Sequence, residues 1–488
     1  MSDLRTSGGG ADRLPDLDPG DWGEFAALGH RALEDMVDFL RTVRDRAVWV
    51  ETPADVRRQF DADLPVAGRP FAEVLADFDR LIKPYASGNI HPAFMGWVQG
   101  AGTPVGMIAE MLAAGLNANC GGRNHVGLEV ERQVTRWMQR ALQFPDTAEG
   151  VFVTGASMAN FVALLVARNH ALGDDVRRKG LVGGPQLVAY ASKAAHGCVS
   201  QAMQLAGLGS DHLRLISCGA DGAMQLAELA ARVEADRRSG LKPFLVVGTA
   251  GSVDIGAVDP LTELAAFCAD QDLWFHVDGA LGAMLTFSRQ MRPLIAGIER
   301  ADSIALDFHK WAHVPYDAGF VLVRDGAAQR RTFASANGYL TRSEVGLAAG
   351  ETWPCDLGPD LSRGFRALKT WFTLRVFGTE HLGDCMAQTC ELAKYLESCL
   401  RADPAFTLSA PVKLNIVCFS VNGADADARN RRIVEDLHVS GRAAPSITLL
   451  DGKAVIRCAI VNHRTTRETI DRFLVDLKNA AERHMLQG

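Results

Sequence analysis

Between residues 150 and 325 the chain alternates short apolar runs with stretches whose apolar positions recur at helical spacing. The runs are VFVT at 151, QLVAY at 186, LRLIS at 213, FLVVGTA at 244, LWFHVD at 273, SIALDF at 303 and GFVLVR at 319. Helical patterns begin at Ser157, after His196, over 221–240 and from Pro260. Short apolar runs rich in β-branched and aromatic residues read as strands, and their alternation with helices predicts an open, largely parallel α/β sheet. Ligands of such sheets bind at the C-terminal ends of the strands, so the residues that end each run are where chemistry is expected.

The flanks read differently. Residues 1–21 are rich in Gly, Asp and Pro and predict a disordered lead, followed by a helical pattern over 22–49. Phe25, Leu28, Leu33, Met36, Val37 and Leu40 form an apolar stripe there that has nothing of its own to cover it, so it must dock on another element or on a partner subunit. A second helix is expected over 71–82. The segment 327–362, with ASANGYL and GETWPCDLGPD, lacks periodicity and reads as a long loop of the kind that forms lids. Strands near NIVCFSV at 415, SITLL at 446 and AVIRCAIV at 454, then a final helix, predict a small α+β unit. The expected division is an N-terminal helical segment over 1–110, a large domain over 111–375 and a small C-terminal domain over 376–488.

Composition narrows the function classes. Hydrophobic residues make up 48% and charged residues 22% of the 488, as in a globular protein. The net charge of −7 is spread without a block of one sign, which argues against a nucleic-acid partner. No run approaches the roughly 18 apolar residues of a membrane span, and the polar N-terminus is unlike a signal peptide, so the expected location is cytoplasmic. The ten cysteines include no CxxC pair, which predicts reduced, mostly buried thiols and neither a zinc site nor a disulfide framework; no metal is expected.

The run ending at Asp278 and the segment ending at Lys310 place a carboxylate and an amine on one sheet edge. Pyridoxal phosphate (PLP) chemistry needs that pair: the lysine forms a Schiff base with the cofactor, and the carboxylate keeps the pyridine nitrogen protonated. The turn Val153-Thr154-Gly155-Ala156-Ser157, between a strand and a helix, can cradle a phosphate on its N–H groups or serve as an ordinary serine helix cap. His196 can stack on a cofactor ring, exchange protons or simply pack.

Over most of its length, from about 85 to 465, the chain resembles the group II PLP-dependent decarboxylases of fold type I. HPAFMGWVQGAGTPVGMIAEMLAAGLNAN is similar to the family's substrate-side segment, TGASMANFVALLVAR to its phosphate segment, and AAHGCVS to its stacking-histidine segment. GTAGSVDIGAVDP is similar to its mid-sheet turn, and HVDGALGA with DFHKW to its cofactor signature. The resemblance implies an α/β large domain with a mostly parallel mixed sheet, a small C-terminal α+β domain, an N-terminal helical segment, and a homodimer.

It also implies roles residue by residue: Lys310 for the Schiff base, Asp278 for the ring nitrogen, His196 on one ring face and Ala280 near the other. Ala156, Ser157, His309 and Asp307 would lie at the phosphate, and Thr249 near the ring oxygen or substrate. Asp307 departs from a common Asn, and an anion beside phosphate is unfavourable unless turned away or paired. Tyr339 matches a mobile-loop tyrosine that returns a proton to the substrate carbon after CO2 leaves, and its presence favours decarboxylation over amine oxidation to an aldehyde.

The substrate is an amino acid whose side chain stays open. Phe94, Met95, Trp97 and Val98 can line an apolar pocket suited to aromatic or bulky apolar side chains, or belong to the core. Arg123, in the polar stretch Gly121-Gly122-Arg123-Asn124-His125, can bind a second acidic group or be solvated, so glutamate, aspartate or cysteine sulfinate remain alternatives. An aldehyde synthase or aminotransferase on the same scaffold, a silent PLP-binding regulator and a structural protein are the other classes.

Overall fold

The computed structural model describes residues 16–335, 342–350 and 352–485. Each of the seven central runs forms a strand: β1 (Glu149–Val153), β2 (Leu187–Ser192), β3 (Leu213–Ile216), β4 (Lys242–Thr249), β5 (Trp274–Asp278), β6 (Ser303–Asp307) and β7 (Gly319–Val323). They make one sheet in the order β1-β7-β6-β5-β4-β2-β3. The pairs from β6 through β3 are parallel, and β7 runs antiparallel to both β6 and β1. Successive side chains of a strand point to opposite faces. Phe152, Val277, Ile304 and Phe320 therefore fill one core, while Val151, Val153, Ala305 and Val321 fill a second against the helix Ala156–Leu172. Helices on both faces explain why these runs are apolar throughout.

Four further strands, β8 (Phe406–Leu408), β9 (Ile416–Val421), β10 (Ser446–Leu450) and β11 (Lys453–Ala459), form an antiparallel sheet in the order β10-β11-β9-β8. Helices Ala426–Val439 and Arg467–Met485 cover it, around Phe419, Ile433, Ile456 and Phe473. A long helix, Arg366–Arg401, bends at Gly378, whose φ of 70° suits a residue without a side chain.

Two local expectations need correction. The first helix ends at Arg41 rather than running to 49; the Thr42 hydroxyl bonds the Asp38 carbonyl, and a short 3-10 turn, Val43–Asp45, follows. Its apolar stripe remains largely uncovered: no residue of the helix is buried, and the Phe25 ring meets that of Phe71 at 5.7 Å and that of Trp22 at 6.0 Å. The segment after 325 opens with a helix, Gly326–Phe333, rather than a loop, because Asp325 caps it by accepting from the Ala328 N–H at 3.0 Å.

Candidate active site

The C-terminal ends of β1, β4, β5 and β6 meet at one sheet edge. Thr249 lies opposite Asp278, Asp278 opposite Ala305, Asp307 opposite Gly319, and Gly319 opposite Val153. Two glycines let other segments close on this edge. A methyl on Gly319 would stand 2.3 Å from the Gly155 Cα, so the turn before the helix Ala156–Leu172 can lie on the sheet only if residue 319 has no side chain. A methyl on Gly100 would stand 2.1 Å from the His309 carbonyl oxygen and 2.4 Å from that of Lys310, which brings the segment carrying Phe94 and Trp97 against the lysine turn.

After β6 the chain turns back on itself, and Lys310 Nζ lies 2.9 Å from Asp307 Oδ2. The other carboxylate oxygen, Oδ1, accepts from the N–H of Ala156 at 2.7 Å. His309 Nδ1 accepts from the Ala318 N–H at 3.0 Å, leaving its Nε2 3.6 Å from Asp307 Oδ1. Burial alone would push the Lys310 amine down, yet the Asp307 carboxylate, with Asp278 and Tyr316 behind it, holds its pKa above the ordinary lysine value. Asp307, whose charge would conflict with a neighbouring anion, is paired here with Lys310.

Asp278, at the end of β5, is buried, and burial raises its pKa against the opposing pull of Lys310, the Ala280 N–H and His196. Its Oδ1 accepts from Ala280 N–H at 3.2 Å and its Oδ2 from Asn160 Nδ2 at 3.2 Å. Asn160 Oδ1 faces His276 Nε2 at 2.6 Å. His196 stands exposed at the rim; its Nδ1 accepts from the Cys198 N–H at 3.2 Å, which leaves Nε2 to point elsewhere. Ser157 is exposed at the start of the helix.

Thr249 is held by its main chain, donating N–H to Asp259 Oδ2 at 2.8 Å, while Asp259 Oδ1 takes the Met224 N–H at 2.7 Å. The Thr249 hydroxyl is buried with no hydrogen-bond partner. An unsatisfied hydroxyl beside a buried amine and carboxylate is what a site built for a polar cofactor leaves open, so the residues present fit a phosphate-bearing aldehyde.

Of the residues expected at the substrate, Phe94 is 6% exposed and packs into the core of the small domain beside Ala444, while Trp97 is 54% exposed, with ring centroids 6.0 Å apart. Met95 is fully buried and Val98 partly so. The Arg123 guanidinium lies over the Trp353 ring at 4.9 Å. Both ring nitrogens of His125 are engaged, Nδ1 accepting from Gly127 N–H at 3.2 Å and Nε2 lying 3.2 Å from the Asn119 carbonyl. Tyr339 lies outside the described residues. Sequence reasoning did not single out Asn160, His276, Asp259 or Tyr316, whose ring sits 4.3 Å from that of His309. The available signal was a polar side chain inside an otherwise apolar run, as in LWFHVD.

A half-buried lysine amine, two buried carboxylates and a helix N-terminus meet on one strand edge, an arrangement able to hold a phosphorylated aldehyde. The comparisons give the family: the model described as "Pyridoxal-dependent decarboxylase conserved domain" matches residues 53–422, and the chain belongs to that family. It is a carboxy-lyase that uses PLP. It is 32% identical to an aromatic-L-amino-acid decarboxylase of Bacillus atrophaeus over 94% of this chain and 96% of that one. It is 30% identical to a histidine decarboxylase of Drosophila melanogaster over 94% of this chain and 55% of the longer relative. The structure of an Oryza sativa TDC with PLP and tryptamine superposes with a TM-score of 0.88 at 25% identity, covering 96% of this chain and all of that one. Among the described residues, no helix is long and apolar enough to cross a membrane.

Proposed function

We propose that this enzyme decarboxylates an aromatic or bulky apolar L-amino acid to its amine and CO2. The observation that carries the reading is the exposed Trp97 ring, backed by the buried Phe94, on the segment that Gly100 brings against the Lys310 turn. The neighbouring Arg123 is turned onto the Trp353 ring. Aromatic chemistry in the Bacillus atrophaeus relative supports the same choice.

Bound PLP supplies an aldehyde for a lysine amine and a ring that withdraws electrons from the carbon losing CO2. Lys310 would anchor it, Asp278 would keep a proton on the ring nitrogen, and His196 and Ala280 would flank the ring. The N–H groups of Ala156 and Ser157 would receive the phosphate with His309 nearby, and the Thr249 hydroxyl would meet the ring oxygen or the substrate. Tyr339 or His196 would return a proton to the substrate carbon. The buried edge excludes water and fixes the carboxylate to be lost, which is the protein's share of catalysis. The uncovered stripe on the helix Trp22–Arg41 supports a homodimer, which light scattering tests, and ten free cysteines accord with a cytoplasmic setting.

The test is CO2 release across aromatic amino acids, histidine, glutamate, aspartate and cysteine sulfinate, with hydrogen peroxide and ammonia assayed alongside. Aromatic preference, with Trp97→Ala raising KM about tenfold and Arg123→Met leaving aromatic turnover intact, supports the reading. Preference for an acidic substrate, lost in Arg123→Met, would overturn it, as would stoichiometric peroxide.

A further inference from the structure

The carboxylate of Asp307 makes two contacts at this sheet edge. Oδ1 takes the first N–H of the helix Ala156–Leu172 at 2.7 Å, and Oδ2 holds Lys310 Nζ at 2.9 Å. Asp307 is 1% exposed, so both contacts start from a buried carboxylate, while the Lys310 side chain is 23% exposed. The Asp307 main chain is pinned in the sheet opposite Gly319, which leaves side-chain rotation as the way to release both contacts. We propose that Asp307 is a latch on cofactor loading: its carboxylate stands where the phosphate of PLP must bind and holds the lysine that must join the aldehyde, and both contacts break before the cofactor is seated.

Two physical conflicts support this. A phosphate monoester brings roughly −1.5 to −2 charges to the helix N-terminus, and a second buried anion on the same N–H groups repels it. An ammonium paired with a carboxylate has no lone pair for attack. For the amine to join the aldehyde, a carbon–nitrogen double bond forms, two of the three ammonium hydrogens leave with the aldehyde oxygen as water, and the third passes to solvent. Asp307 opposes that proton loss, in line with the upward shift of the Lys310 amine. The alternative is a permanent helix cap that keeps the Ala156 N–H whether or not the cofactor is present. The latch concerns cofactor uptake, so it stands or falls independently of which amino acid is the substrate.

The experiment titrates apoenzyme with PLP by equilibrium dialysis and visible absorbance, and with inorganic phosphate as a competitor, in wild type, Asp307→Asn and Asp307→Ala, with thermal melting as the control for folding. Asp307→Asn keeps an acceptor for Ala156 N–H and removes the charge. The latch requires both variants to bind PLP at least tenfold tighter, phosphate to compete at lower concentration, and attachment to Lys310 to reach half its maximal rate at a lower pH. Unchanged or weaker PLP binding in variants that melt like wild type overturns it. A wild-type holoenzyme crystal structure needs no substitution: separation of Asp307 Oδ1 from Ala156 N beyond hydrogen-bond distance supports the latch, and retention of the 2.7 Å contact refutes it.

Discussion

Asn160 donates its amide N–H to Asp278 at 3.2 Å, and a chain of buried polar groups lies behind it. The Trp274 indole can only donate, and does so to Ser303 Oγ at 2.8 Å. His276 Nδ1 lies 2.8 Å from Ser303 Oγ and 3.1 Å from the Ser303 carbonyl oxygen. Burial pushes the His276 pKa down to about 3, so the ring is neutral, and its Nε2 lies 2.6 Å from Asn160 Oδ1. Because a carboxylate only accepts, the amide turns its nitrogen to Asp278 and its oxygen to the ring. Reversing it would set an amide oxygen against a carboxylate. The amide delivers a donor to Asp278 and favours its charged form, against the effect of burial.

Asn160→Ala should therefore weaken PLP retention. A hydrogen bond to a buried charge contributes about 1.5–3 kcal/mol, or roughly 10- to 100-fold in affinity. Dialysis against PLP-free buffer measures it. Trp274→Phe, which removes only the far end of this chain of groups, should produce a smaller loss of the same sign. Wild-type retention in Asn160→Ala would show that Asp278 needs no such support.

Asp259 makes a pH prediction. Burial raises its pKa to about 6 from the model-compound 3.8, despite the N–H groups of Thr249 and Met224. Between those values the folded protein keeps a proton that the unfolded chain has released, so stability falls as pH rises through the window. The full shift corresponds to about 3 kcal/mol at about 1.36 kcal/mol per unit. Asp259→Asn leaves one of the two N–H groups without an acceptor, which costs about 1–3 kcal/mol, but it should flatten the change between pH 4 and 6. Urea unfolding at pH 4, 5 and 6 checks both; an unaltered slope in the variant would remove Asp259 as its source.

The strand framework was legible because the central strands other than the edge strand β3 are buried on both faces and so read as apolar runs. The edge residues were legible because those runs end in Asp278, Asp307 and the segment to Lys310. What escaped was of two kinds. β8 is only Phe406–Leu408, too short for any period to show. Asn160 and His276 sit in an apolar helix and an apolar strand, and their meaning lies in partners far away in sequence. A buried polar side chain demands a partner, but the sequence does not say which one. Asp307 is the intermediate case: its conflict with a phosphate was visible in the chain, its pairing with Lys310 only in space.

Glu131 and Arg363 form a buried pair, Nη2 to Oε1 at 2.7 Å and Nη1 to Oε2 at 3.1 Å. The same guanidinium donates to the Cys120 carbonyl at 2.8 Å and the Phe152 carbonyl at 2.7 Å, tying β1 to the segment that leads into Arg123. Removing one partner strands the other charge, so Glu131→Gln and Arg363→Met should each cost about 3–5 kcal/mol. The double variant should cost clearly less than the sum, because the stranded charge is gone. Chemical denaturation of all four proteins gives the coupling; additive losses would mean the two side chains act separately.

Gly100→Ala tests whether the aromatic wall depends on close approach to the lysine turn. The added methyl would fall 2.1 Å from the His309 carbonyl oxygen, a backbone atom with nowhere to move because Phe308 and Trp311 on either side are fully buried. The segment bearing Phe94 and Trp97 must shift outward instead. The expected result is a rise in KM of at least tenfold for the preferred substrate, with PLP affinity measured alongside because the same methyl would fall 2.4 Å from the Lys310 carbonyl oxygen. Gly115→Ala is the control: a methyl there meets nothing within 4 Å in the helix Pro104–Leu116, and alanine should stabilise the helix by about 0.5–1 kcal/mol with unchanged kinetics. If Gly100→Ala leaves KM at the wild-type value, the Phe94–Trp97 segment does not form the substrate wall.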